Sequence, residues 1–347
     1  MRNLILILLL SNNIIYAQIG GNGTYSFLNL PSSAHISALG GNNISVISNE
    51  PSFVFQNPAT LTDSVKNNFY LSNTKLFADI YYGSTGYFFT NKILGTTFIA
   101  LSYFNYGTFD KFDELGTNIG NFYAADYVLN IGFSKPFKKD SLLAYGFTIK
   151  PVYSHYDKYT SFGIVFDAGL RYHNPIHLWT FGIVLKNLGL QIKSYSKNNH
   201  EPILLDLQMG LSKKLKYAPF RLHLTFKNLN NWNLSNFDYL QNNSLGLYAD
   251  TSKKYTRFER WSDEFLRHTT IGSDIILSKS FYIALGYNFQ IRKELSIPTK
   301  ISTVGLSWGF GLKLYRFQLH FARATYHLSG ATNTLSISSK ISDWYKK

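Results

Sequence analysis

Cysteine is absent from the 347 residues, so neither a disulfide framework nor a thiolate metal site can be built. Beyond residue 17 no apolar stretch approaches the ~18 residues that a membrane-spanning helix needs. Proline (9) and methionine (2) are scarce, and 20 acidic residues face 34 Lys and Arg, a formal net charge of +14. The nine histidines are scattered along the chain. There is no His-Glu-x-x-His run, and His173 and His177 flank Pro175 in what reads as a tight turn, poor geometry for a metal. No metal and no cofactor are expected. Ser154, His155 and Asp157 come nearest to a catalytic set, but neighbours on an extended strand point to opposite faces. No catalytic residue is assigned, and the chain does not read as an enzyme.

What is abundant is aromatic: 28 Phe, 25 Tyr and 5 Trp, beside 25 Gly. Much of it alternates. From Val304 the even positions Leu306, Trp308, Phe310, Leu312 and Leu314 are apolar, while Gly305, Ser307, Gly309, Gly311 and Lys313 lie between them. A strand sends successive side chains to opposite faces, so such a segment has one greasy and one small or polar face. Tyr123 to Phe133, Phe281 to Ile291 and Tyr315 to Phe321 repeat the pattern. Fourteen strands are expected, at 68–78, 80–89, 94–104, 122–134, 142–156, 159–172, 177–188, 203–214, 219–229, 266–278, 280–292, 301–312, 315–327 and 332–341.

Alternation alone suits a soluble sandwich as well as a barrel. Two features turn the apolar face toward lipid. Residues 1–17 have the parts of a cleaved signal peptide: Arg2, the apolar run Leu4 to Leu10, and a small residue at Ala17. The connections expected to be long, 105–121, 189–202, 230–265 and 293–300, all follow odd-numbered strands, as in barrels with short periplasmic turns and long outer loops. The reading is an exported, transmembrane, 14-stranded antiparallel β-barrel of the bacterial outer membrane. Lys135, Lys138, Lys139, Lys213, Lys214, Lys216, Lys279, Lys313 and Arg316 cluster at the short turns, where they can meet lipid headgroups. Outer-membrane lipids are therefore expected partners, and nucleic acid is not.

Residues 18–67 do not alternate. Ser32 reads as a helix N-cap after Pro31 and Gly40 as the stop, while Glu50 and Pro51 open a second short helix that Pro58 ends. This stretch is expected to be a helical and irregular hatch inside the lumen of a barrel formed by 68–347. Within it, Ala38-Leu39-Gly40-Gly41, the following Glu50-Pro51-Ser52 and Asn57-Pro58-Ala59 resemble the hatch of FadL-type outer-membrane barrels. A longer match covers Tyr25 to Ala34, Leu39-Gly40-Gly41, Gln56 to Ala59, Leu211 to Arg221, Phe265 to His268 and Gly286-Tyr287-Asn288. It resembles the PorQ-like family, the FadL-like barrels of the type IX secretion system of Bacteroidetes. The resemblance implies a non-enzymatic outer-membrane component that tethers a PorZ-like surface protein, in an attachment complex with PorU-like and PorV-like members.

Three sets of residues are candidates for function. Asn57, Pro58 and Ala59 form the hatch motif: proline holds Asn57 extended, and the amide can bridge loop backbones. Asp126, Asp167, Asp206, Asp274, Lys150, Lys186 and Arg171 fall on the lumen face and are expected to pair with one another or with the hatch. The outer loop 230–265 carries Trp232, Phe237, Tyr239, Tyr255, Phe258 and Trp261, and a short amphipathic helix in it should cap the barrel mouth. A second functional reading is a channel for hydrophobic small molecules gated by the hatch, because the small lumen residues would leave space.

Overall fold

In a computed structural model, residues 23–137, 142–197, 199–234, 256–296, 302–327 and 330–345 are described; the signal peptide expected at 1–17 lies outside them. Fourteen strands run in chain order: β1 Asn68–Lys75, β2 Tyr81–Asn91, β3 Gly95–Phe112, β4 Asn118–Pro136, β5 Leu143–Tyr156, β6 Tyr159–Asn174, β7 Trp179–Lys193, β8 Asp206–Lys214, β9 Phe220–Phe226, β10 Thr269–Ile276, β11 Phe281–Asn288, β12 Leu306–Leu314, β13 Phe317–His327 and β14 Gly330–Lys340. Each pairs antiparallel with its chain neighbours, and β1 pairs with β14, so the sheet closes with no free edge. Closure satisfies the backbone within the sheet, which is what lipid demands of a spanning structure. Phe69, Leu71, Ile99, Leu101, Leu306, Trp308 and Phe310 stand exposed on the outside, while Tyr70, Ser72, Ala100, Ser102 and Ser307 are buried on the inside. At the short-turn end Arg316 stacks over Tyr315 and Trp344, and Lys216 over Tyr217, as at a headgroup level.

The sequence misplaced several ends. The connection expected at 105–121 is mostly strand: β3 and β4 run on as a hairpin to a turn at Asp113–Thr117. A bulge at Gly107, held by Asn105 Oδ1, resets the two-residue period there and hides the continuation. Strand β11 ends at Asn288, so Phe289 and Ile291 are helical rather than lipid-facing. Asn288 accepts from Ile291 N (3.1 Å) and donates to Gly40 O (2.9 Å), capping one element while holding the hatch. Strand β12 starts at Leu306 rather than 301, because Gly305 takes φ 88°; Val304 is consequently buried. The remaining long connections, 194–205, 227–268 and 289–305, still share one end of the barrel, the outer end in barrels of this type.

Residues 23–67 precede β1 and fill the lumen. Helix α1 (Ala34–Ala38) is capped by Ser33, whose hydroxyl accepts from Ile36 N at 3.2 Å. Ser32, the expected cap, instead offers its carbonyl to the wall hydroxyls of Tyr70 (2.6 Å) and Ser84 (3.0 Å). Short 3₁₀ turns follow at Pro51–Phe55, Pro58–Thr60 and Asp63–Val65. Ile36, Leu39, Val46 and Phe53 pack on Ala284 and Ala322 of the wall, and Val54, Leu61 and Val65 on Tyr70, Phe88 and Phe98. Each such large side chain contributes about 1.5–3 kcal/mol. The small wall residues therefore do not leave open space. A Cβ on Gly286 would lie 2.1 Å from Gly40 N, one on Gly146 2.4 Å from Pro58 C, and one on Gly182 2.5 Å from Ile44 O. At these three points the wall is glycine because hatch backbone lies against it.

Candidate functional site: the hatch and its two mouths

The hatch motif is structural glue. Asn57 is fully buried; its Oδ1 accepts from Ala59 N at 3.0 Å, and its Nδ2 donates to Ile44 O at 3.0 Å and to the wall carbonyl of Leu170 at 3.3 Å. Pro58 opens the turn that Asn57 caps, and Ala59 is buried against the wall. One amide thus joins two hatch segments and a strand.

The expected lumen charges are all buried, and most find partners. Lys150 pairs with Asp167 at 2.7 Å, Lys186 reaches the hatch at Gln56 Oε1 (3.3 Å), and Asp206 accepts from Gln208 Nε2 and Asn228 N. Two depart from the expectation. Arg171 Nε and Nη1 make no hydrogen bond. Among the described residues Asp126 pairs with no cation and accepts only from the hydroxyls of Tyr106, Tyr156 and Ser154.

The densest cluster was not foreseen. His35 on α1 places Nδ1 2.7 Å from Glu50 Oε2 and Nε2 2.9 Å from Asp274 Oδ1 of β10. Asp274 also accepts from Arg221 Nη2 (2.5 Å) and His223 Nε2 (3.0 Å), and Glu50 from Ser52 (2.6 Å). His320 closes the group, its Nδ1 2.8 Å from the Tyr282 hydroxyl and 3.8 Å from Glu50. The sequence signal for these groups was only that Asp274 and His320 sit on lumen faces; hatch positions 35 and 50 carry no spacing that points to them. His35, Glu50 and His320 offer ligand atoms within 4.8 Å of one another. With a carboxylate on each ring nitrogen, however, His35 is held as imidazolium, which has no lone pair to give a metal.

Burial alone would depress His35, but the carboxylates of Asp274 and Glu50 outweigh it and raise the pKa to about 9. Burial would raise Glu50, but His320, His35 and Ser52 pull it down to about 2. The sign follows. The His35 contribution is complete below the ordinary histidine range near 6.5 and is lost as pH rises through about 9. The Glu50 contribution is complete above about 4.5 and is lost as pH falls through about 2. Protection of residues 23–67 from added protease should accordingly be flat between roughly pH 4.5 and 6.5, decline from there to about pH 9 and level off beyond it. A pH-independent protection profile to pH 10 would refute the imidazolium bridge.

Two cavities flank the hatch. The inner one, about 390 Å³, is lined by Lys214, Arg221, Lys279 and Lys313, among others. The outer one, about 290 Å³, is lined by Tyr25, Tyr106, Tyr156, Tyr159, Tyr195 and Glu201. Ser154, His155 and Asp157 near its rim do not converge: Ser154 bonds Asp126, His155 lies against Tyr123, and Asp157 pairs with Lys111.

At the outer end, in the connection between β9 and β10, lies helix α2 (Arg257–Arg267), opened by a capping box of Thr256 and Glu259. Glu264 Oε2 holds Leu234 N at 2.9 Å, and Asp263 pairs with Arg267 (2.7 Å) and with Lys293 (2.6 Å) of helix α3 (Phe289–Leu295). Phe258, Trp261 and Phe265 form one stacked row, with Phe265 resting on Phe226 of the barrel. Phe258 is 74% and Trp261 54% exposed. Trp232, 43% exposed, stands apart from this row, stacked at 4.6 Å on the fully buried His268 that ends α2. Phe237, Tyr239 and Tyr255 lie outside the described residues.

No protein-family model matches the sequence, and no curated protein matches it. Among solved structures, the TodX monoaromatic hydrocarbon channel, a deltaS2 mutant, is similar over 90% of this chain and 99% of that one, with 13% identity and a TM-score of 0.50. A Pseudomonas aeruginosa FadL homologue is similar over 89% and 98%, with 10% identity and a TM-score of 0.47. The fold is that of a FadL-like outer-membrane barrel. In this FadL-like barrel the strand number, the ring closure and the irregular N-terminal segment all agree with the sequence reading.

Proposed function

We propose that this FadL-like barrel is a plugged, non-enzymatic scaffold of the type IX secretion machinery that holds a PorZ-like surface protein at its outer end, beside PorU-like and PorV-like components. The observation that carries the reading is backbone-to-backbone seating of the hatch on wall glycines. It seats the plug closely against the barrel wall, which suits anchoring. The row Phe258–Trp261, on a helix tied to α3 through the Asp263–Lys293 ion pair, supplies the aromatic anchors that interfaces favour. Changing both Phe258 and Trp261 to serine should leave the barrel folded, because neither is buried. It should weaken co-purification of the surface protein from outer membranes by tenfold or more. Undiminished recovery would remove this helix from the proposal.

The second reading, a channel for hydrophobic small molecules, is favoured by the fold shared with a hydrocarbon channel. It requires the hatch to leave its seat. A deletion strain with unimpaired uptake of monoaromatic hydrocarbons would argue against it.

A further inference from the structure

Asp126 is 1% exposed, and its only partners among the described residues are hydroxyls: Tyr106 (2.7 Å) and Tyr156 (3.0 Å) on Oδ2, and Ser154 on Oδ1. A buried carboxylate is normally matched by a cation, as Asp167 is by Lys150 and Asp274 by Arg221. Here the countercharge is absent on the side facing the outer cavity. That cavity is walled by phenol rings set at steep angles to one another: Tyr106 and Tyr156 at 5.3 Å and 51°, Tyr156 and Tyr195 at 5.4 Å and 67°. Among the described residues its lining includes no Lys and no Arg, in a chain of net charge +14, and includes a carboxylate, Glu201. Glu201 makes no ion pair among the described residues; its backbone is held by Gln191 Oε1 at 2.9 Å. On the rim, Lys158 already sets its ammonium over Tyr159 at 5.4 Å.

Ring faces carry negative potential and attract cations, most strongly where water is partly excluded. Several rings around a space of about 290 Å³, with one carboxylate in the wall and another beneath the floor, complement a positive group with an apolar surround. We propose that the outer mouth is a binding site for an organic cation, an alkylammonium, with Tyr106, Tyr156 and Tyr195 as the cage, Glu201 as the direct counterion and Asp126 as the buried charge behind it. The group arrives either on a free small amine or on a lysine side chain from outside. The inference is independent of the scaffold reading, since it rests on the pocket alone.

The test is calorimetric titration of the full chain in detergent with choline, with its neutral carbon isostere 3,3-dimethylbutanol, and with Nα-acetyl-lysine amide. Saturable binding of a cation is expected, with the isostere at least about tenfold weaker. Glu201→Gln and Tyr156→Leu should each weaken the cation by about tenfold. Tyr156→Phe keeps the ring and guards against misfolding, and it should retain most of the affinity. Choline binding without lysine binding assigns a free amine, and lysine binding without choline a side chain; either outcome upholds the site. Equal affinity for choline and isostere, no saturable binding of either cation, or binding indifferent to both Glu201→Gln and Tyr156→Leu overturns it.

Discussion

Replacing Gly286 with valine should unseat the hatch and turn a silent barrel into a conducting one. Gly286 faces the lumen from β11, and a Cβ there would sit 2.1 Å from Gly40 N, 2.3 Å from Leu39 C and 2.6 Å from Ala38 O. These are backbone atoms at the end of α1, where no side chain can swing aside. Overpacking of this kind costs about 1–3 kcal/mol even where neighbours can adjust, and here the cost falls on the contact between two bodies. The barrel itself should survive. Its strands close through β1 and β14, and the hatch adds only the isolated bridge between Thr24 and Ile203. The expected result is a heat-modifiable barrel whose hatch is cut by added protease and which shows conductance steps in planar bilayers. A variant as silent and as protected as the parent would show that the seat can yield.

Removing the carboxylate of Asp274 should cost more. Alanine there strips the acceptor from Arg221 Nε (2.8 Å) and Nη2 (2.5 Å), from His35 Nε2 (2.9 Å) and from His223 Nε2 (3.0 Å). Glu50 is then the one carboxylate left in the cluster, against the Arg221 guanidinium and the His35 imidazolium. Breaking one side of a buried ionic group typically costs about 3–5 kcal/mol, because the remaining charge stays buried. The urea midpoint should fall accordingly, and Asp274→Asn, which keeps shape and some hydrogen bonds, should lose less. Hatch protection should fall with it, since His35 is the hatch's share of the cluster. An unchanged midpoint in the alanine variant would mean that the cluster does not hold hatch to wall.

How much was legible can be judged residue by residue. Trp308 and Phe310 were placed on one face by period and turned outward by the signal peptide and the loop parity, and they stand exposed on the outside of the barrel. Phe289 and Ile291 obeyed the same period and were misplaced, because Gln290 to Leu295 is also a good helix sequence and the Asn288 cap decides between the two. Asn57 could be read as a bridge between backbones because an amide before proline has few other uses. Which backbones it would bridge could not, since Ile44 and Leu170 lie 13 and 113 positions away. Ser33 displaced Ser32 as the cap for a tertiary reason, the Ser32 carbonyl being taken by Tyr70 and Ser84.

By itself the sequence determined the strands, their number and which residues of each share a face, because a two-residue period is a local property of the extended chain; the signal peptide and the loop parity turned the apolar face outward. It also placed the buried charges on the inner face. What only the tertiary structure decided is who meets whom across the lumen. Glycines that read as empty space became seats for the hatch, histidines that read as scattered gathered on Glu50 and Asp274, and Asp126 was left with phenols where a cation was expected. Those contacts join positions far apart in the chain, and closing the ring is what brings them within bonding distance.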